Sequence, residues 1–378
     1  MTEAARTNPQ GLKQRMKNTS EVLTGSELHE LEDGYALRFP NGGGWPEKLD
    51  VFTESWRASC PQMTFDVSEA DGGLRLEIRG PEGTKQFVEG SRYILGSHLN
   101  PAPTFGNKVK QGVRLLTAPL RVLPDFLIIG AKKCGTTALY SFLTQHPAVL
   151  PAFRKENYYF SALWSNGRLW YRSMFPTTGE MRHATRATGE RAQTGEATPD
   201  YLFYSHAAKR AHDTVPDAKL IAILRDPVDR AYSFYNHNLR AGVEDLPFAE
   251  AIEREEERLA GEEEKVRADP GYFSFHWEHH SYLKRGVYVD QLADWTARYP
   301  KAQILVLRTE DLNQDPEGVL RRTFDFLGLS YAAPAAFKKL NAAPPYLPLD
   351  PALRAKLEAY FEPHNERLSE FLGTRMAW

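Results

Sequence analysis

Lys132 and Lys133 lie between Gly130 and Gly135, and Thr136 and Thr137 follow at once. A continuous apolar run, Phe126-Leu127-Ile128-Ile129, comes before them. Such a run suits a strand buried on both faces. After the loop, Leu139, Phe142 and Leu143 recur at helical spacing, and Pro147 marks a stop. Strand, glycine-bounded loop and helix N-terminus together make an anion site. The first N–H groups of the helix point outward, and its dipole favours negative charge. Two ammonium groups and two hydroxyls strengthen that site. The chemistry on offer is the binding and transfer of a phosphate-like group.

The glycine spacing is that of a P-loop, but Thr136 stands where a nucleoside-triphosphate site needs lysine. A second apolar run, Leu220 to Leu224, leads into Arg225-Asp226-Pro227. Asp226 suits a helix N-cap and Pro227 the first helical position. A metal-dependent phosphotransferase needs an acid after the second strand to hold Mg²⁺. The cation Arg225 suits an anionic ligand group better. A kinase of P-loop type and a non-catalytic nucleotide- or glycan-binding protein remain the alternatives. A third run, Ile304 to Leu307, precedes a helix expected near Glu317–Leu327, with Gly328 as its stop. Buried strands alternating with helices predict an α/β fold: a P-loop-like parallel sheet flanked by helices, with ligands at the strands' C-terminal ends.

The stretch Pro124 to Leu139 resembles the 5′-phosphosulfate loop of sulfotransferases that use 3′-phosphoadenosine-5′-phosphosulfate (PAPS). Arg225-Asp226-Pro227-Val228-Asp229-Arg230-Ala231-Tyr232-Ser233 resembles the same family's 3′-phosphate motif. Gly286-Val287-Tyr288 and Leu305 to Leu312 are similar to segments of the branch containing heparan sulfate sulfotransferases and bacterial relatives. The resemblance runs from about Pro124 to Trp378. It implies transfer of a sulfuryl group from PAPS to an acceptor, releasing adenosine 3′,5′-bisphosphate (PAP), with no metal required. The acceptor would be a small molecule or a glycan, including a lipid-linked sugar. The resemblance assigns catalysis to Lys133 and donor binding to Lys132, Lys133, Cys134, Gly135, Thr136, Thr137, Arg225 and Ser233. Arg230 fits a structural role as well as a functional one.

Lys155-Glu156 before Asn157-Tyr158-Tyr159-Phe160 is similar to the branch's Lys-Glu and aromatics, which makes Glu156 the expected general base. His146 is the rival base. Its place beside Pro147 at the end of the loop helix favours packing or capping. Glu196-Ala197-Thr198-Pro199-Asp200-Tyr201 resembles a segment with lysine at the second position. Ala197 therefore argues against a highly anionic acceptor. Lys338 and Lys339 occupy the region of a nucleotide-closing loop without matching its pattern.

Cys134 lies near a helix N-terminus and two lysines, a setting that lowers a thiol pKa. No His–Asn partner pattern accompanies it, so a small loop residue is the preferred reading. The His276, Glu278, His279 and His280 cluster lacks zinc spacing. The run Glu253–Arg267 reads as a solvated acidic helix face. Tyr272, Phe273, Phe275, Trp277 and Tyr282 fit either a stacking surface or ordinary core.

The 378 residues are 42% hydrophobic and 25% charged, with a formal net charge of -2, so a globular chain is expected and nucleic acid is not the default partner. Two cysteines cannot build a disulfide framework, and no apolar run approaches a membrane span. A reducing cytoplasm is the expected compartment. Residues 1–25 read as a flexible arm and 26–118 as a small β-rich module with its linker. Residues 119–378 read as the sulfotransferase domain. In the module, Leu74 to Ile78 alternates after Asp71-Gly72-Gly73, a hairpin signal.

Overall fold

The computed structural model of the chain describes residues 17–19, 21–23, 27–40, 42–59, 63–70, 72–80, 84, 85, 88, 105–269, 272, 274–337, 347–376 and 378. Two sheets organise them. The first holds β1 (Glu27–Glu30), β2 (Gly34–Pro40), β3 (Thr64–Ala70) and β4 (Gly73–Arg79), antiparallel in the order β1-β2-β4-β3. The expected hairpin joins β3 to β4, with Ala70 opposite Gly73 and Gly72 at a φ of 78°. One face of this sheet packs on α1 (Trp45–Ser59), burying Leu37, Phe39, Phe52, Trp56, Phe65 and Ile78.

That module departs from the sequence reading at both ends. Residues 17–19 and 21–23 are helical, and Val22 and Leu23 are buried in the module's core. Their apolar side chains hold part of the expected arm in place, and residues 1–16 lie outside the described set. Asn18 Nδ2 donates to the Lys48 carbonyl at 2.9 Å. Thr19 packs on Gly242, where a Cβ would stand 2.9 Å from its Oγ1. The expected linker contains α2 (Phe105–Leu116). Arg114 anchors this helix by donating to the carbonyls of Ser173 at 2.7 Å and Phe175 at 2.8 Å.

The second sheet is wholly parallel. Its strands are β5 (Phe126–Gly130), β6 (Val149–Pro151), β7 (Gln193–Ala197), β8 (Lys219–Leu224) and β9 (Ile304–Arg308), in the order β6-β7-β5-β8-β9. β5 and β8 are the predicted apolar runs, and burial on both faces explains their composition. β7 has the polar sequence QTGEA and is nevertheless fully buried. Each polar side chain has a partner there: Gln193 Nε2 donates to the Leu327 carbonyl at 2.8 Å, and Thr194 Oγ1 to that of Leu150 at 2.7 Å. Gly195 admits the Phe126 ring, which a Cβ would meet at 2.5 Å.

The chain leaves β5 toward β6 on one side and leaves β8 toward β9 on the other. The adjacent ends of β5 and β8 therefore form a topological switch point, where open α/β sheets bind ligands. α3 (Thr136–Leu143) leaves β5 and α4 (Pro227–Arg240) leaves β8. Asp226 caps α4 as expected, accepting from the N–H groups of Val228 at 2.8 Å and Asp229 at 3.0 Å. α5 (Pro316–Leu327) ends at Gly328, whose φ of 77° is left-handed. α6 (Pro351–Leu372) packs against α4.

Candidate active site

The loop from Ala131 to Gly135 spans the switch point. Ala131 N–H donates to the Ile223 carbonyl at 2.8 Å, tying the loop to β8. Lys133 at a φ of 70° and Gly135 at 91° both take left-handed backbone. A lysine adopts that conformation only where its surroundings impose it. Among the described residues, no protein acceptor meets the N–H groups of Gly135, Thr136 or Thr137. They are the open donors of a helix start.

The two loop lysines have separate surroundings. Lys132 Nζ contacts Glu278 Oε1 at 2.6 Å and Asp200 Oδ1 at 3.3 Å. Arg285 completes this group, with Nη1 at 2.8 Å from Asp200 Oδ1 and Nη2 at 3.1 Å from Glu278 Oε2. Burial works against charge on Lys132, but Asp200 and Glu278 outweigh it and raise its pKa. Burial would raise Glu278, yet Lys132 and Arg285 bring it down to about 2. Lys132, expected to bind donor, is thus fixed to protein carboxylates. Lys133 makes no ion pair among the described residues. Burial first, then the charges of Arg240, Lys132 and Arg225, lower its pKa to about 8. A buried lysine whose charge is disfavoured by burial and by neighbouring cations suits an anionic ligand group.

Arg225 and Ser233 flank the other side. Among the described residues, the carboxylate nearest Arg225 in an ion pair is a distant one, Asp229 Oδ2 at 3.9 Å. Ser233 is buried on α4, two turns into the helix. Arg240, at the far end of α4, acts on Lys133 more strongly than Arg225 does and had no motif to announce it. Arg230 is fully buried and donates through Nη2 to the Tyr282 carbonyl, while its Nε and Nη1 have no hydrogen-bond partner among the described residues.

Cys134 differs from expectation. Its thiol is buried, and that burial pushes its pKa up to about 11 despite nearby arginines. Sγ lies 3.8 Å from the Tyr288 hydroxyl, and its N–H donates to the Ala131 carbonyl at 3.2 Å. Neither group is left for an anion or for nucleophilic attack.

Glu156 sits on the segment after β6. Lys155 Nζ and the Tyr158 hydroxyl both donate to its carboxylate. Tyr158 has its pKa raised by burial first, then by the charges of Glu156, Asp200 and Glu278. Glu156 therefore shares a neighbourhood with the acids that pair with Lys132. Glu196 supports the segment from β7. It accepts from Tyr171 at 2.6 Å, Tyr201 at 3.0 Å, Thr198 at 2.7 Å and the Asn157 N–H at 3.2 Å. Ala197 N–H donates to the Lys155 carbonyl at 3.0 Å, and the Ala197 methyl is buried in β7.

His146 lies at the opposite end of α3 from the loop. Nε2 faces the Ser330 carbonyl at 3.0 Å, Nδ1 accepts from Ala148 N–H at 3.0 Å, and the ring packs on Phe324. This is the packing and capping role that its neighbouring proline suggests. The His276–His280 cluster is likewise engaged internally. His276 Nδ1 and His280 Nδ1 are 2.8 Å apart, and Glu278 belongs to Lys132. Among the described residues, no three His, Cys, Asp or Glu groups converge to hold a metal ion. Phe275, Trp277 and Tyr282 are core, and Tyr272 is exposed. Phe273, Lys338 and Lys339 lie outside the described residues.

Sequence reasoning missed Asp200, Glu278, Arg285 and Arg240 as site residues. The first three meet only in three dimensions, and no local spacing signals them.

The sulfotransferase domain family matches residues 123–341. Heparan sulfate glucosamine 3-O-sulfotransferase 6 of Homo sapiens is 30% identical over 293 residues, covering 71% of this chain and 77% of that protein. Membrane-associated sulfotransferase kil1 of Dictyostelium discoideum is 27% identical over 326 residues, covering 68% and 67%. The crystal structure of a sulfotransferase from Alicyclobacillus acidocaldarius is 30% identical with a TM-score of 0.50, covering 68% of this chain and 98% of that one.

Proposed function

Since the chain belongs to the sulfotransferase family, we propose that it moves a sulfuryl group from PAPS to an acceptor hydroxyl. The observation that carries this reading is the anion cradle at the switch point. Three open N–H groups, the unpaired Lys133 and the nearly unpaired Arg225 converge there.

The Gly135–Thr137 donors would hold the 5′-phosphosulfate, and Arg225 with Ser233 the 3′-phosphate. In transfer, the bond between sulfur and the bridging phosphate oxygen breaks as one forms to the acceptor oxygen. Lys133 stabilises charge growing on the leaving oxygen. Glu156 takes the acceptor proton, once the acceptor hydroxyl displaces Lys155 or Tyr158 from its carboxylate. Glu196 and its tyrosines position that segment from below.

The phosphotransferase alternative loses its metal acids. Asp226 is occupied as a helix cap, and Glu310 Oε1 accepts from the Asp226 N–H at 2.9 Å. The buried Ala197 methyl, in place of a lysine, favours an acceptor of low negative charge, such as a neutral glycan or a hydroxylated metabolite. The cytoplasm remains the proposed compartment. The test is titration of the protein with PAP and with ATP, followed by assay of labelled sulfate transfer from PAPS. Tight PAP binding and PAPS-dependent labelling are expected. Equal affinity for the two nucleotides, with no labelled product from hydroxyl acceptors, would reject the reading.

A further inference from the structure

Tyr288 and Thr309 lie outside both phosphate motifs, yet each touches the loop after β5 and the end of β8. Tyr288 opens the helix Tyr288–Thr296, and Thr309 opens the helix Thr309–Gln314 directly after β9. The Thr309 hydroxyl is 2.6 Å from the Cys134 carbonyl and 2.9 Å from the Leu224 carbonyl. A threonine has one hydroxyl hydrogen, so a single donor is shared between the two carbonyls. The Tyr288 hydroxyl donates to the Arg225 carbonyl at 2.9 Å and has Cys134 Sγ at 3.8 Å. Tyr288 is buried, and that burial first, then the neighbouring Cys134, raises its pKa. The phenol therefore keeps its hydrogen for that carbonyl.

Both bridges end at the same two places, residue 134 on one side and residues 224–225 on the other. Backbone bonding does little there. The β5–β8 ladder ends at Gly130 and Ala222, and among the described residues the Ala131 N–H bond to the Ile223 carbonyl is the one further backbone tie. Cys134 immediately precedes the open donors of Gly135, Thr136 and Thr137, and Arg225 carries the guanidinium proposed for the 3′-phosphate. Two side chains from separate helices thus span the gap between the two halves of the anion cradle. Cys134, which offers no anion contact of its own, is where both of them hold the loop.

We propose that Tyr288 and Thr309 are positioning residues that set the spacing between the two phosphate-binding halves, so that one nucleotide bearing both phosphates meets both at once. This rests on the donor reading above. The gain is one of effective concentration, because a nucleotide held by one phosphate delivers the other to its half. A loosened bridge lets the halves drift, and that gain falls while each half keeps its own contacts.

Calorimetric titration of the full chain with PAP, adenosine 5′-monophosphate and adenosine 3′-monophosphate tests this. PAP carries both phosphates and each of the others carries one. Tyr288→Phe and Thr309→Val should each weaken PAP by about tenfold and change either monophosphate by less than about twofold. Thr309→Ser keeps the hydroxyl and should bind PAP as the parent does. The first two variants leave a buried carbonyl without its donor, so a small fall in their unfolding midpoints is expected. Equal weakening of all three nucleotides would reduce the two residues to general supports of the fold and overturn the proposal. Weakening of one monophosphate as much as PAP would overturn it in favour of direct contact with that phosphate, and so would PAP affinity indifferent to both variants. A parent that binds PAP no more tightly than the monophosphates would reject the donor reading itself, and this proposal with it.

Discussion

Lys132 Nζ lies 2.6 Å from Glu278 Oε1, across 146 residues of chain. The contact separates two adjacent lysines by task. Lys132 is neutralised by Glu278 and Asp200 and kept protonated. Lys133, one residue on, is turned by its left-handed backbone into a group of cations and loses charge easily. A pair of lysines in sequence thus becomes one cation held by protein carboxylates and one that makes no ion pair among the described residues.

Lys133→Ala should lower kcat by about 10²–10³-fold, the usual scale for losing a donor to developing charge. PAP affinity should change far less, which titration would show. The pH dependence has a definite sign. Lys133 is charged below about 8 in the free protein, so kcat/KM should fall as pH rises through that value. A Lys133→Ala profile that keeps this alkaline limb would assign the limb to another group.

Arg225→Ala should weaken PAP by about 1.5–3 kcal/mol, the range for a charge-assisted hydrogen bond. Ser233→Ala should do so more mildly. A donor analogue without the 3′-phosphate should be nearly indifferent to both changes. Parallel losses for both ligands, measured by calorimetry, would remove these residues from 3′-phosphate recognition.

Glu156→Gln should fold and bind PAP like the parent and lose turnover, because the amide cannot accept a proton. His146→Ala should keep substantial kcat, its ring being occupied by Ser330 and Ala148. An active Glu156→Gln beside an inactive, folded His146→Ala would transfer the base role to the imidazole.

Glu278→Gln should destabilise the protein by about 3 kcal/mol or more, because Lys132 and Arg285 stay buried with less counter-charge. The folded pKa of Glu278, about 2, is below the ordinary carboxylate value. Its contribution is therefore complete above about pH 4 and drains as the pH falls toward 2. Urea melts of parent and variant should converge across that acid window. A variant as stable as the parent at pH 7 would show the pair to be energetically idle.

The parts legible in the sequence are those with local causes. The run Leu220–Leu224 and the pair Asp226-Pro227 declare a buried strand and a capped helix, and both form where expected. Gly328 stops its helix. β7 escaped because Gln193 and Glu196 look exposed until their buried partners are known. α1 escaped because Trp45-Pro46 after three glycines reads as a break, whereas Pro46 sits in the first helical turn. α2 escaped because the side chains shown to fasten it to the fold, Gln111 and Arg114, are polar. At the site, the loop and Glu156 are local motifs, but Asp200, Glu278 and Arg285 are brought together by tertiary structure alone.

Thr19 resting on Gly242 ties the start of the chain to the turn that ends α4. Asn18 holds the same segment to α1, while α2 is fastened separately through Arg114. The module is therefore gripped at two points distant in sequence. A side chain added at Gly242 would press on Thr19 and loosen the module's first helical turns, while the Arg114 anchor of α2 stays in place.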